Sequence, residues 1–255
     1  MSGFIAFTKK EYMESIRTYR FIILLAVLLF FAILSPLTAI LLPEILNSLE
    51  MVDGFVISLP EPSAMDSWGQ FFSNIGQMGM LAVIIIFSGT MARDLENGTL
   101  VNLLTKGMKR YTVVISKFVL SCILWTIGYA VSLAVCYAYT AFYFPADEVS
   151  NAFFAFSSLW LYGIFLITLL IFGGTLFGNF YGSLFSCFGV VVTLALINIS
   201  PIAQKYNPIS LGGDTLALLS GQKETADFLP AMIICSILII VFLVASIFIF
   251  NKKKV

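Results

Sequence analysis

Histidine is absent from all 255 residues, and charged residues make up only 11% of them. Without histidine, the His-based catalytic triads and the usual zinc-ligand sets are excluded. No segment fits G-x-x-x-x-G-K-[ST], so the chain lacks the usual loop for cradling nucleotide phosphates. The cysteines Cys122, Cys136, Cys187 and Cys235 all fall inside apolar runs, which favours buried structural thiols over disulfides or metal ligands. Positive and negative charges cancel, leaving no global field to hold nucleic acid. No cleavable signal peptide is expected, because about twenty polar or mixed residues precede an apolar run that is itself long enough to span.

Apolar residues are what the chain has in excess. At 60% hydrophobic and a mean hydropathy of +0.99 it is far more apolar than a soluble domain, which is roughly half apolar and a quarter charged. A spanning helix needs about 20 apolar residues. Six such runs are present, at 21–42, 71–91, 118–142, 152–177, 183–200 and 228–250. The expected fold class is all-α, a polytopic membrane protein whose residues 1–255 form one transmembrane domain. Pro36 is expected to kink the first span and Pro43 to end it.

Residues 1–20 place Phe4, Ile5, Phe7, Tyr12, Ile16 and Tyr19 among Lys9, Lys10, Arg17 and Arg20, a basic amphipathic pattern suited to a helix lying flat in the headgroup layer. The loop after the first span carries Glu44, Glu50, Asp53, Glu61 and Asp66 with no base, and 143–151 carries Asp147 and Glu148 with none. Both belong outside by the positive-inside rule. Asn74 and Gln77, and later Ser88 and Thr90, are read as groups that cap the second span or bond its neighbours. Between spans four and five, Gly178-Asn179-Phe180-Tyr181-Gly182 is a tight inner turn, and Gly174, Gly178, Gly182 and Ser186 also have a helix-contact spacing. The segment 202–227 is too polar to span, yet Ile209, Leu211, Leu216, Leu218 and Leu219 can enter the membrane edge as a re-entrant hairpin. Lys252, Lys253 and Lys254 anchor the last span. In this topology twelve of the fourteen bases and four of the fourteen acids are cytoplasmic, which puts both termini inside.

The spans as drawn hold no Asp, Glu, Lys or Arg. Ion-coupled carriers and proton relays need an ionisable group at membrane depth, so the absence argues against both, and against an intramembrane aspartyl protease. If the chain moves a solute, the energy comes from elsewhere. The stretch 92–117 is the one long charged segment between two spans. Asn97-Gly98 is a turn signal, Thr99 a candidate N-cap and Gly107 a C-terminal stop, while Leu100, Leu103 and Leu104 share one helical face. With no core of its own in view, that leucine face is expected to lie on lipid or in a groove of another protein, and the groove is favoured.

Glu96-Asn97-Gly98-Thr99-Leu100, then Leu103-Leu104, Arg110 and Ile115-Ser116-Lys117 leading into a span, resembles the loop between the second and third spans of ABC-2 type permeases. The resemblance extends to the interfacial helix, a first span ending in Ser35-Pro36, six spans with both ends inside, and Asn207-Pro208 before the last span. Gly107-Met108-Lys109 departs from it, since many members carry a proline before the arginine. The resemblance implies a bacterial cell-membrane protein, a dimer with a second permease subunit, each subunit docking a separate ABC ATPase. The coupling element would be about Glu96 to Thr105, with Glu96, Gly98, Thr99, Leu100, Leu103, Leu104 and Arg110 meeting the partner. Lys9, Lys10, Arg17 and Arg20 would belong to the interfacial helix, in contact with membrane lipid and the ATPase. The chain itself is then not an enzyme and binds no cofactor or metal; ATP and Mg belong to the partner. Spans with Ser, Thr, Asn, Gln and Tyr as their polar groups suit a hydrophobic or amphipathic solute, an amphipathic antimicrobial or cytotoxic peptide being favoured. Drug or lipid export is the alternative, and a membrane scaffold recruiting a cytoplasmic partner without transport is another.

Overall fold

The computed structural model describes residues 2–50, 62–105, 107–144 and 151–253. Asp53, Glu61, Asp147 and Glu148 of the expected outer loops, Lys106 and Lys254 lie outside the described residues. Within those that are described, the chain is all-helical, with six helices or helix runs long and apolar enough to span a membrane. An N-terminal helix, α1 (Ser2–Arg17), precedes the first spanning helix, α2 (Arg20–Glu50). The second span is built from α3 (Ala64–Asn74), a π-helical turn at Ile75–Gly79, and α4 (Met80–Glu96). A short α5 (Val101–Thr105) leads into α6 (Arg110–Tyr143), followed by α7 (Ala152–Phe177) and α8 (Phe180–Ile197). Three short helices, α9 (Pro201–Gln204), α10 (Ser210–Gly213) and α11 (Thr215–Leu219), come before the last span, α12 (Thr225–Lys252).

The expected 152–177 coincides with α7, whereas other helices run past their apolar cores. Helical hydrogen bonding does not stop at a hydrocarbon edge, so α6 starts at Arg110 and projects roughly 12 Å beyond Phe118 before its apolar run begins. Pro43 does not end the helix, since α2 continues to Glu50, while the run apolar enough to span stops at Leu42 as expected. A proline removes a single backbone bond, and an apolar surround favours resuming the ladder in the next turn.

The most buried span is α7, packed by α4, α8 and α12, and α8 is the least buried. Aromatic rings join α3, α6 and α7 in one half of the bundle. Trp125 stacks on Tyr129 with centroids 5.2 Å apart, and Trp68 meets Phe156 edge-on at 5.0 Å. Their polar tips are satisfied on α7, the Trp125 indole donating to the Trp160 carbonyl at 3.0 Å and the Tyr129 hydroxyl to the Phe156 carbonyl at 3.1 Å. Asn74 of α3 donates to the Ser35 hydroxyl of α2 at 3.2 Å, a helix-to-helix bond of the kind expected for it.

The segment before α12 does turn back into the bundle. Leu211, Leu218 and Leu219 are buried, Ile209 is half-buried, and Leu216 stays exposed. Gly212 lies against the ring of Tyr162, which is about 15 Å along α7 from Ala152. Asn207 ties the segment to α8 by donating to the Leu194 carbonyl at 2.6 Å, and Lys223 pairs with Asp214 at 2.6 Å. The α7–α8 turn forms at Gly178-Asn179, where Asn179 caps α8 by accepting from the Gly182 amide.

Gly163 leaves room for the Trp125 indole; a Cβ there would lie 2.4 Å from the ring. Gly163→Ala is expected to cost about 1–3 kcal/mol through overpacking. Gly189 of α8 has no neighbour within 4 Å of an added Cβ. Thermal unfolding in detergent checks the contrast: the first variant melts lower, and Gly189→Ala melts with the parent.

Candidate functional site: an ionic knot where α1, α4 and α6 meet

The end of the bundle that carries both described termini holds most of the described charge. In α1 the buried positions are Phe7, Glu11 and Ser15, one helical stripe at i, i+4 and i+8. In α6 the inward stripe of Val113, Val114, Lys117, Leu120, Ser121 and Leu124 includes a lysine. The stripes converge with the end of α4, so Lys117, 1% exposed, lies between Glu11 and Asp94. Its Nζ is 2.8 Å from Glu11 Oε2 and 2.5 Å from Asp94 Oδ2.

Neighbouring groups add further contacts. Lys10 Nζ donates to Glu11 Oε1 at 3.1 Å and pairs with Glu14 at 2.7 Å, while Arg20 reaches Glu14 at 4.0 Å. Three cations thus meet three carboxylates, which is what burial of charge requires. The Lys10 and Lys117 ammonium groups also lie 5.6 and 5.7 Å from the Phe7 ring. Burial opposes the Lys10 charge, but the hydrogen bond to Glu14 and the charges of Glu11 and Asp94 outweigh it and raise its pKa above the ordinary lysine value. Tyr19, in the turn between α1 and α2, has φ of 56°, a conformation that costs a non-glycine residue roughly 1–2 kcal/mol. The ionic contacts fix α1 at the angle this turn demands.

The polar stretch after α4 hangs from the same knot. The Thr99 hydroxyl donates back to Asp94 Oδ1 at 2.7 Å. The leucine face does have a core to enter. Leu100 is fully buried, and Leu103 and Leu104 are half-buried against the same apolar cluster. The expectation that these leucines have no core to enter is therefore corrected, Leu100 being wholly withdrawn and Leu103 and Leu104 partly so. What faces outward is Glu96, Asn97, Val101 and Thr105, with Gly98 in the turn at φ 65°. Gly107, at φ 89°, ends the segment as expected.

Arg110 is turned toward α12. Its guanidinium donates to the carbonyls of Phe250 at 2.7 Å and Asn251 at 3.2 Å, occupying the C-terminal end of α12. Lys253 in turn donates to the carbonyls of Thr175 at 2.8 Å and Leu176 at 3.2 Å, so it holds the end of α7 rather than serving only as a lipid anchor. A cation at a helix C-terminus meets both unsatisfied carbonyls and the negative end of the dipole. Gly178 at φ 75° makes room, since a Cβ there would lie 2.9 Å from Lys253 Nζ. Of the interfacial cations, Lys9 and Arg17 are exposed, Lys10 belongs to the knot, and Arg20 opens α2.

Sequence reading did not single out Glu11, Asp94 or Lys117 as a site, because charges there were used only to assign a side of the membrane. The signal was periodicity: Glu11 shares a stripe with Phe7, and Lys117 one with Val113 and Leu120. At the opposite end a cleft of about 740 Å³ lies between α2, α3 and the α10–α11 segment, with Met65 and Leu216 beside Gln70, Ser73 and Gln222. All four cysteines are free thiols, Cys122 half-buried and the others buried.

Among known proteins the chain is similar to the uncharacterized transmembrane protein YxlG of Bacillus subtilis (strain 168), at 26% identity over 253 residues that cover 95% of this chain and 96% of the relative. No family model matches the chain. A transmembrane relative of matching length agrees with the six spans.

Lys117→Met would leave two buried carboxylates without their shared cation and is expected to cost about 3–5 kcal/mol. Glu11→Leu combined with Lys117→Met should lose less than the sum of the single changes, as a double-mutant cycle by thermal unfolding would record. Arg110→Ala should speed amide exchange in the last turn of α12 by about 10–100-fold, measured by hydrogen exchange, because a charge-assisted bond is lost.

Proposed function

We propose that this chain is the membrane-spanning subunit of an ATP-binding-cassette exporter of the ABC-2 permease type, working as a dimer in a bacterial cell membrane with both termini cytoplasmic. A separate ATPase, carrying the ATP and Mg, docks on the stretch between α4 and α6. The observation that supports this most is mechanical. The stretch presents Glu96, Asn97, Val101 and Thr105 outward while Leu100 and the Thr99–Asp94 bond fasten it to the ionic knot. A push on the outward face would therefore move α4, α6 and α1 together, and Arg110 would carry it to α12. The absence of a phosphate-binding loop assigns the energy source to a different polypeptide.

For cargo, a hydrophobic or amphipathic solute fits best, an amphipathic peptide first and a drug or lipid second. The cleft between α2, α3 and α10–α11 sets an apolar wall beside polar groups, Gln70, Ser73 and Gln222 together with the carboxylates of Asp66 and Asp214, a mixture suited to an amphipathic solute.

Reconstitution in liposomes with the ATPase encoded nearby tests the reading. Cargo should stimulate ATP hydrolysis, and Val101→Asp on the outward face should cut that stimulation by about tenfold while the melting temperature holds. A chain that never co-purifies with an ATPase, or hydrolysis indifferent to cargo, would contradict it and favour a scaffold.

A further inference from the structure

The ionic knot holds α1 at Lys10, Glu11 and Glu14, but the first turn of that helix stands away from α6. A groove of about 690 Å³ separates them, walled by Phe4 and Ile5 on one side and Leu103, Met108, Tyr111 and Ile115 on the other. Phe4, Ile5 and Tyr111 remain exposed. The groove runs from about 5 to 10 Å beyond the start of the apolar run at Phe118, which is the depth of headgroups and glycerol.

Charge decides what suits it. Among the described residues at this end, Glu11, Glu14 and Asp94 are committed to the knot and Glu96 is exposed at the end of α4, whereas Lys9, Arg17 and Lys109 are exposed with no carboxylate in ion-pair range. Lys109 lines the groove, and its ammonium lies 5.8 Å from the Tyr111 ring. An apolar slot with a free cation at its rim is complementary to a single amphiphile with a negative head.

We propose that this groove binds one anionic phospholipid, with its phosphate on Lys109 and the upper part of an acyl chain among Phe4, Ile5, Met108 and Ile115. The lipid closes the gap between the first turn of α1 and the α5–α6 stretch, completing the packing that the knot begins. Lipid retention is read on this chain alone, with no ATPase present, so its failure and that of the exporter reading are separable.

Native mass spectrometry of the detergent-purified full chain, titrated with phosphatidylglycerol or phosphatidylcholine, tests it. The parent should retain phosphatidylglycerol over phosphatidylcholine by about fivefold for the one cation at the site. Lys109→Glu should abolish that preference, while Arg17→Glu, at the far end of α1, should keep it. Equal retention of both lipids, an unchanged preference in Lys109→Glu, or loss of preference only in Arg17→Glu would overturn the assignment. So would a cross-link from Ile5→Cys that captures a protein segment in place of lipid.

Discussion

A single ammonium group, that of Lys117, makes this end of the molecule one piece. Withdrawing it from water is costly, and two carboxylates from two other helices must stay within bonding distance to offset that cost. Neither carboxylate can leave alone, because Lys117 would then face an apolar surround with half its compensation gone. Glu11 fixes α1, Asp94 fixes the end of α4, and Lys117 belongs to α6. The knot restrains geometry; it need not add much stability over an apolar replacement of equal size.

From the knot outward, attachment proceeds by helix ends. Thr99 and Leu100 bind the short polar stretch to it, Arg110 grips the last carbonyls of α12, and Lys253 grips those of α7. The other half of the bundle is held differently, by aromatic contacts among α3, α6 and α7 and by the returning α10–α11 segment. Polar clamps at one end and stacked rings nearer the other give α6 and α7 fixed points along their length. The least buried span, α8, is held at its end by Asn207 and Gln204, which donate to the Leu194 and Asn198 carbonyls, and it meets α7 through side-chain packing and the Ser183 hydroxyl, which donates to the Leu170 carbonyl.

The six spans were legible because hydrocarbon thickness imposes a run length that composition reveals directly. Their ends were less so: α6 outruns its apolar run, and α2 passes Pro43, since backbone bonding answers to local geometry and not to hydropathy. The charged boundary misled for a related reason. Counting bases by side treats Lys117 and Lys253 as equivalent headgroup anchors, yet one is buried between carboxylates and the other caps a helix. The leucines of α5 were read as an unpartnered face because the stretch was taken to lie beyond any core. Helices that continue past the membrane edge bring a core with them, and Leu100 fills it. What the sequence did carry, and a stripe count would have found, is the alignment of Glu11 with Phe7 and of Lys117 with Val113 and Leu120.

The rigidity of this joint is open to direct measurement by double electron–electron resonance between spin labels at Lys9 and Glu96, both exposed and each on a different arm of the knot. A single narrow distance distribution that broadens markedly in Lys117→Met is the outcome expected if Lys117 binds α1 to α4. Equal widths with and without the lysine ammonium, or a broad distribution in the parent protein, would show that the helices are held by something else.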